Sequence, residues 1–530
     1  MTSVAGRLRT EGRIRSEGGG LVAAPLAATL VICGLAVVVG VAAGERGIVI
    51  VAALAALVAA VAVALKPDRA TLVVVAVLYS NAAAIAVSRF GLPYIAGALL
   101  PLLLVVPFAY HVVIRRQPII IANGLPYLLG YFIVLILSFL AGMSADPGRA
   151  TDAFGNFVGE GLLVYFALTN VVRSLPDLRN IVWVMLLVGG FLGALSVYQQ
   201  VTGSFDNDFG GFAKISQAVI GQNEFGQGGD IRLAGPIGEK NRYAQILLVL
   251  IPLGLFRVWG ERRLSLRVIA GVATLFCALG IALTYSRGAA LGFAIAIAFM
   301  ALLGYIRPKQ ILALAVGAAI LFTLQPAYLE RLYSLEAITN VTGSDSTAAA
   351  DGSISKRANE TIAALLVFSD HPILGVGRGL FPVYYGVYSD EVGISSDAES
   401  KQAHNLYTGM LAEVGIVGFL LFMAIFVVTF IDLERVRRRW KVRRPEYANM
   451  ATAFALSIVA YLASGMFLHL SYERYLWMLM ALAASAAWIG MHAPEPAEEA
   501  TTETSSADAS GPTLGRRRVR TAYLRQAQRP

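Results

Sequence analysis

Apolar runs of about 20 residues recur along nearly the whole chain, each long enough to cross a hydrocarbon layer roughly 30 Å thick as a helix. No other feature constrains the fold as strongly. Composition points the same way, with 57% of the 530 residues hydrophobic and 15% charged, where a soluble domain has about half and about a quarter. An ordinary soluble enzyme, a disordered scaffold and a disulfide-rich secreted protein are thereby excluded. Cys33 and Cys277 both lie inside apolar runs, so neither a disulfide framework nor a thiolate metal site is indicated. The expected fold class is an all-α polytopic membrane protein.

Fourteen candidate spans fall near 21–43, 47–65, 70–88, 94–114, 123–142, 156–172, 181–200, 242–258, 267–285, 288–305, 310–326, 406–432, 450–468 and 475–491, giving about 12–14 transmembrane helices. Basic residues mark alternate connections. They are Arg7, Arg9, Arg13 and Arg15; Lys66 and Arg69; Arg115 and Arg116; Arg173 and Arg179; Arg257, Arg262, Arg263 and Arg267; Arg307 and Lys309; Arg435 to Arg444; and Arg516 to Arg529. By the positive-inside rule both termini are then cytoplasmic. The basic residues 1–20 precede an apolar run, Leu21 to Gly44, too long for a signal peptide's core, so it reads as a retained first helix. Residues 21–492 form the membrane domain. Residues 493–530, Pro/Glu/Thr/Ser-rich and then basic, read as a disordered cytoplasmic tail near anionic lipid.

Two outer loops stand out: 201–241, rich in Gly, Asp and Asn, and 327–405, the one long hydrophilic insertion. Apolar spacing in Lys356 to Phe368 predicts a helix, so the second loop is expected to be a small folded cap.

Arginines are disfavoured on the outer face, so those at its membrane boundary call for a reason. Arg287 interrupts an apolar stretch in TYSRGAALG, and Arg232 lies in IRLAGPIGEKNRYAQ just before a span. A guanidinium offers a planar fork of donors that suits phosphate; the alternative is that both side chains snorkel to headgroups. Gly288 and Gly292 would let helices approach closely beside Arg287. His404, in AHNLYTGMLAEVGIVG, begins a span at the outer face, where an imidazole is able to take a hydroxyl proton or simply cap the helix. Glu413, about two turns further on, requires a polar cavity or a partner. His371 and Arg378 sit in the Pro/Gly-punctuated DHPILGVGRGLF, where structural roles lead. Asp206-Asn207-Asp208 has the Asp-x-Asp form of some metal-binding glycosyltransferases, although Asx turns explain it equally. His469, Glu473 and Arg474 bracket the last outer turn. These residues describe an outward-facing, arginine-rich site with no evident metal or cofactor.

Three blocks taken in order, Arg232 to Gln245, Tyr285 to Gly292 and His371 to Gly418, resemble the O-antigen ligase and polymerase superfamily of membrane glycosyltransferases. The likeness covers about 181–491, including the long loop before the His-Asn helix. It implies a GT-C-like helical membrane domain whose periplasmic loop caps the site. It also implies inverting, metal-independent transfer of a glycan from a polyprenyl-diphosphate carrier to an acceptor hydroxyl. Carried over by position, Arg232 and Arg287 match the family's essential arginines, which hold the diphosphate, and His404 matches its essential histidine. Arg357 and the Pro372–Gly377 turn match positions that shape the loop; Arg378, Asn405 and Glu413 are the further substrate-binding candidates. Two departures are the extra spans and a Gly-Glu-Lys-Asn turn at Gly238 to Asn241. The implied partners are the lipid-linked donor, a glycan, lipid or protein acceptor, membrane lipids, and a flippase with other polysaccharide-assembly proteins, without nucleic acid. The competing reading is a transporter or flippase for lipid-linked glycan, a class that usually shows internal repeats; a non-catalytic assembly partner is a third.

Overall fold

A computed structural model describes residues 68–91, 103–220, 230–306, 309, 348–391, 402–470 and 473–495. The expected spans at 21–43, 47–65 and 310–326, the start of the one at 94–114, Cys33, the basic N-terminal segment and nearly all of the tail lie outside them. Helix α1 (Asp68–Tyr79) and helix α2 (Ala82–Phe90) meet at a 59° bend. They are followed by α3 (Val105–Ala109), α4 (Leu125–Gly142) and α5 (Pro147–Asn156), the last running through a π-helical stretch, Phe157–Leu162, into α6 (Leu163–Val171). After α7 (Leu175–Thr202) come strands β1 (Lys214–Ile220) and β2 (Asp230–Gly235), then α8 (Lys240–Gly260), α9 (Leu264–Ala282) and α10 (Arg287–Leu302). The order closes with α11 (Ala348–Asp370), α12 (Phe381–Glu391), α13 (Leu406–Trp440), α14 (Pro445–Gly465) and α15 (Glu473–Met491).

Helices α4, α7, α8, α9, α13, α14 and α15 are each long and apolar enough to cross a membrane. With them the all-α polytopic membrane fold is established. One local difference from the sequence reading is the 201–241 loop, which contains the antiparallel β1–β2 hairpin. A second is α13, which continues past residue 432 to Trp440. There Glu434 pairs with Arg437 and Arg438 one turn on, both at 2.6 Å, and carries the helix beyond its apolar part.

Helix starts follow the local sequence. Ser174, Glu239, Ser286 and Asn405 each cap a helix by accepting from its first free amides. Small residues set the crossings. A Cβ on Gly193 would lie 2.1 Å from the Phe276 carbonyl, so α7 and α9 pack backbone to backbone. On Gly292 it would lie 3.1 Å from the Ala460 carbonyl, which brings α10 against α14 and confirms the reason for the small residue. Helix α15 is buried nearly all round, including Trp477, Met478 and Met480.

Helix α13 is broken two turns in. Gly415 has φ 62° and ψ −171°, and the HPILGVGRG segment docks into the gap. Ile416 N donates to Pro372 O at 2.8 Å, and Gly377 N donates to Glu413 O at 2.9 Å. The freed helical groups are thus satisfied by protein backbone, the condition under which an irregular segment survives at membrane depth. Beside this junction α11 and α12 share a small core, Ala363, Val367, Leu380, Phe381 and Tyr385, that also takes in Ala412 of α13.

Candidate active site

The starts of α8, α10, α13 and α15 lie at the same end of the helical bundle, together with the hairpin and α11. Their connections bring the sequence-predicted residues to two places.

The first is built on the turn between α9 and α10. Tyr285 adopts φ 53°, turning the chain so that Arg287 becomes the first residue of α10, half-buried. Strand β2 lies against this turn. Leu233 N donates to Leu283 O at 3.2 Å, while the Arg232 guanidinium donates to the carbonyls of Thr284 (2.9 Å) and Tyr285 (3.1 Å). Arg232 is 3% exposed, so it supports the turn that presents Arg287. Arg357 projects from α11, and its positive charge bears on Arg287. Burial lowers the pKa of Arg357, while the carboxylates of Glu360 and Glu239 oppose that fall.

His404 completes this group. It too has positive φ, 42°, a conformation to which histidine is more tolerant than most residues. Its Nδ1 lies 2.9 Å from the Gln402 carbonyl and 3.1 Å from Oε2 of Glu360. The Gln402 carbonyl can only accept, so its contact fixes the proton on Nδ1 and leaves Nε2 as the nitrogen with a lone pair. Burial depresses the His404 pKa, but the hydrogen bond and charge of Glu360, helped by the Gln402 carbonyl, outweigh it and hold the pKa above its ordinary 6.5. Asn405 is occupied as the cap of α13, accepting from Tyr407 N at 2.9 Å and from Thr408 N at 3.3 Å. The His469 ring stands edge-on to His404 with centroids 5.7 Å apart. Burial and the charges of Arg242, His404 and Arg378 push the His469 pKa well below the ordinary value.

The second place lies inward of the first. Arg378 pairs with Glu413 and with Glu473 (3.3 Å), and donates to the Leu470 carbonyl at 2.8 Å. Trp477 Nε1 donates to the other oxygen of Glu473 at 3.1 Å. Glu413 therefore has the partner its position demanded. This ion cluster ties the α11–α12 connection to α13 and α15. The neighbouring carbonyl of His469 accepts from Arg242, whose other arm donates to Gln245 at 2.7 Å.

The Asp-x-Asp stretch is engaged elsewhere: Asp208 pairs with Arg89, and Asn207 Oδ1 accepts from Phe209 N at 2.8 Å, an Asx turn. Cys277 is buried in α9, His371 is exposed, and Arg474 pairs with Glu160 at 3.3 Å. Sequence reasoning missed Glu360, Glu239 and Arg242 as participants. For Glu360 a signal existed, since it follows Arg357 by three residues on a predicted helix and so shares its face.

Residues 272–423 match the family model described as O-antigen ligase, a stretch that holds Arg287, Arg357, Glu360, Arg378, His404 and Glu413. Comparison with curated proteins gives no match. The chain therefore carries a segment similar to an O-antigen ligase domain, set among helices long and apolar enough to cross a membrane.

Proposed function

We propose that the protein transfers a glycan from a polyprenyl-diphosphate carrier to an acceptor hydroxyl at the extracytoplasmic face, ligating or polymerising cell-surface polysaccharide. One arrangement supports this reading: Arg287 opens α10 at the end of the bundle where Arg357 of α11 and His404, whose Nδ1 lies 3.1 Å from Glu360, also gather. Like charges gathered in a partly buried site are stabilised by an anion, and a diphosphate presents one. Arg287 also opens a helix, whose dipole adds to the positive field. The opposite end of the bundle carries Arg257, Arg262, Arg263 and Arg435 to Arg444, which under the positive-inside rule supports a site on the outer face and termini inside.

The chemistry follows from the geometry. Nε2 of His404 takes the proton of the acceptor hydroxyl as its oxygen attacks the anomeric carbon. The bond from that carbon to the diphosphate oxygen breaks, and the electron pair leaves with the polyprenyl diphosphate. Attack opposite the leaving group inverts the anomeric centre. Fixed guanidiniums aimed at the charge that develops there supply the stabilisation a divalent cation gives in other transferases. Glu360 holds the His404 tautomer and stabilises the imidazolium that forms. Arg232 acts through the turn it supports. The transferase core runs over 181–491, beyond the matched segment, because Arg232 and His469 belong to the same site. Membrane lipids surround it, and a flippase delivers the donor from the inner face.

The test is transfer from a polyprenyl-diphosphate oligosaccharide by purified protein with EDTA present. Wild type is expected to release polyprenyl diphosphate, and Arg287→Ala and His404→Ala to lose about 10²-fold or more. Variants as active as wild type would remove the site. Movement of lipid-linked sugar across vesicles without release of diphosphate would establish a transporter instead. That class relies on broken helices lining a cavity, whereas the break in α13 is filled by the Pro372–Gly377 backbone.

A further inference from the structure

His469 lies outside the matched segment, yet its ring is 5.7 Å from that of His404. Its position is determined from both sides. Arg242 of α8 holds the carbonyl of His469, and Arg378 holds the next carbonyl, Leu470, at 2.8 Å. Arginines from two separate elements thus hold consecutive carbonyls in the residues that follow α14. Nδ1 of His469 is itself buried and makes no hydrogen bond among the described residues. A buried imidazole nitrogen without a partner is destabilising, and a group arriving with the substrate removes that cost.

The chemistry of that group can be narrowed. His404 has a carboxylate at 3.1 Å, which favours the charged ring and suits it to taking up a proton. His469 has cations around it and stays neutral, so it adds no charge to hold phosphate. A neutral imidazole has one donor and one acceptor, and each hydroxyl of a sugar is able both to donate and to accept. With centroids 5.7 Å apart, the two rings are near enough for both to contact one sugar.

We infer that His469 binds the acceptor, holding the hydroxyl next to the one that His404 deprotonates, and that the acceptor is therefore a sugar with neighbouring hydroxyls. This rests on the transferase reading above. A side-chain hydroxyl of serine or threonine leaves His469 unpartnered, whereas a sugar ring engages both histidines.

The experiment uses the full-length protein with lipid-linked glycan and acceptor glycan, both purified from membranes of the producing cells. It compares wild type, His469→Gln, His469→Asn and His404→Gln. Both His469 variants are expected to raise the acceptor KM tenfold or more, with kcat and donor KM within threefold of wild type; an unchanged donor KM also reports that the site has folded. Methylation analysis of the wild-type product is expected to show a hydroxyl on a carbon next to the new linkage. A fall in kcat at unchanged acceptor KM, a rise in donor KM, or no change would each overturn the inference while leaving the transferase standing. So would a product joined to serine or threonine. If wild type transfers nothing, the transferase reading fails and this one with it.

Discussion

The molecule holds two arginine clusters a short distance apart, and they differ in how their charge is closed. Around Arg378 the account balances within the protein: two carboxylates, a carbonyl and a tryptophan N–H complete one another. Around Arg287 and Arg357 two cations from α10 and α11 bear on one another, with Glu360 against His404 and Glu239 capping α8. The first arrangement ties elements together; the second, half-buried where α10 begins, is the one proposed to receive the ligand. Arg232 makes the same point within the site, since it stands beside Arg287 in the fold yet spends its donors on the turn.

The largest expected effect breaks the closed cluster. Replacing Arg378 by Met strands Glu413 and Glu473 and costs about 3–5 kcal/mol of stability, read as a lowered unfolding temperature in detergent. Arg287→Met, at a half-buried helix start, is expected to lose less stability than Arg378→Met and to fail in transfer. Equal stability of the two variants would dissolve the distinction between the clusters. Next comes Arg232→Gln, which loses two charge-assisted hydrogen bonds to the carbonyls of Thr284 and Tyr285. A drop of about tenfold in kcat/KM is expected, from misplacement of Arg287. A variant with full activity would mean that the turn holds its shape unaided.

Much of this was legible beforehand. The helices came from apolar length alone, because the bilayer demands it, and the described spans fall where the runs lie. Arg287 and Arg232 stood out because cations are disfavoured at the outer membrane boundary, and His404 because it opens a span there. The burial of Arg232 against two backbone carbonyls is a tertiary fact that no local pattern encodes. The break at Gly415 was equally hidden, since its replacement hydrogen bonds come from residues some forty positions earlier in the chain. The β1–β2 hairpin escaped notice because glycines and polar residues around it dominate the reading of that loop.

A smaller effect concerns pH. A base acts when deprotonated, so kcat/KM is expected to climb with pH through the His404 pKa, which Glu360 holds above 6.5. With Glu360→Gln, the raising effect of the carboxylate is lost while burial and Arg357 still lower that pKa. The climb is then expected to move to lower pH, and a limb that stays in place would show that Glu360 does not act on His404. The smallest effect is Asn405→Ala, expected to cost about 1 kcal/mol as a lost helix cap. It should show in thermal unfolding with donor KM unchanged; a raised donor KM would return Asn405 to the substrate.

The central claim is that Arg287 and Arg357 together hold a diphosphate, and a double-mutant cycle tests it most directly. Inhibition by polyprenyl diphosphate would be measured for wild type, Arg287→Gln, Arg357→Gln and the pair. Each single change is expected to raise the inhibition constant tenfold or more, and the double change to raise it by less than the product, because both side chains grip one ligand. Inhibition constants that do not move in either single variant would contradict the account.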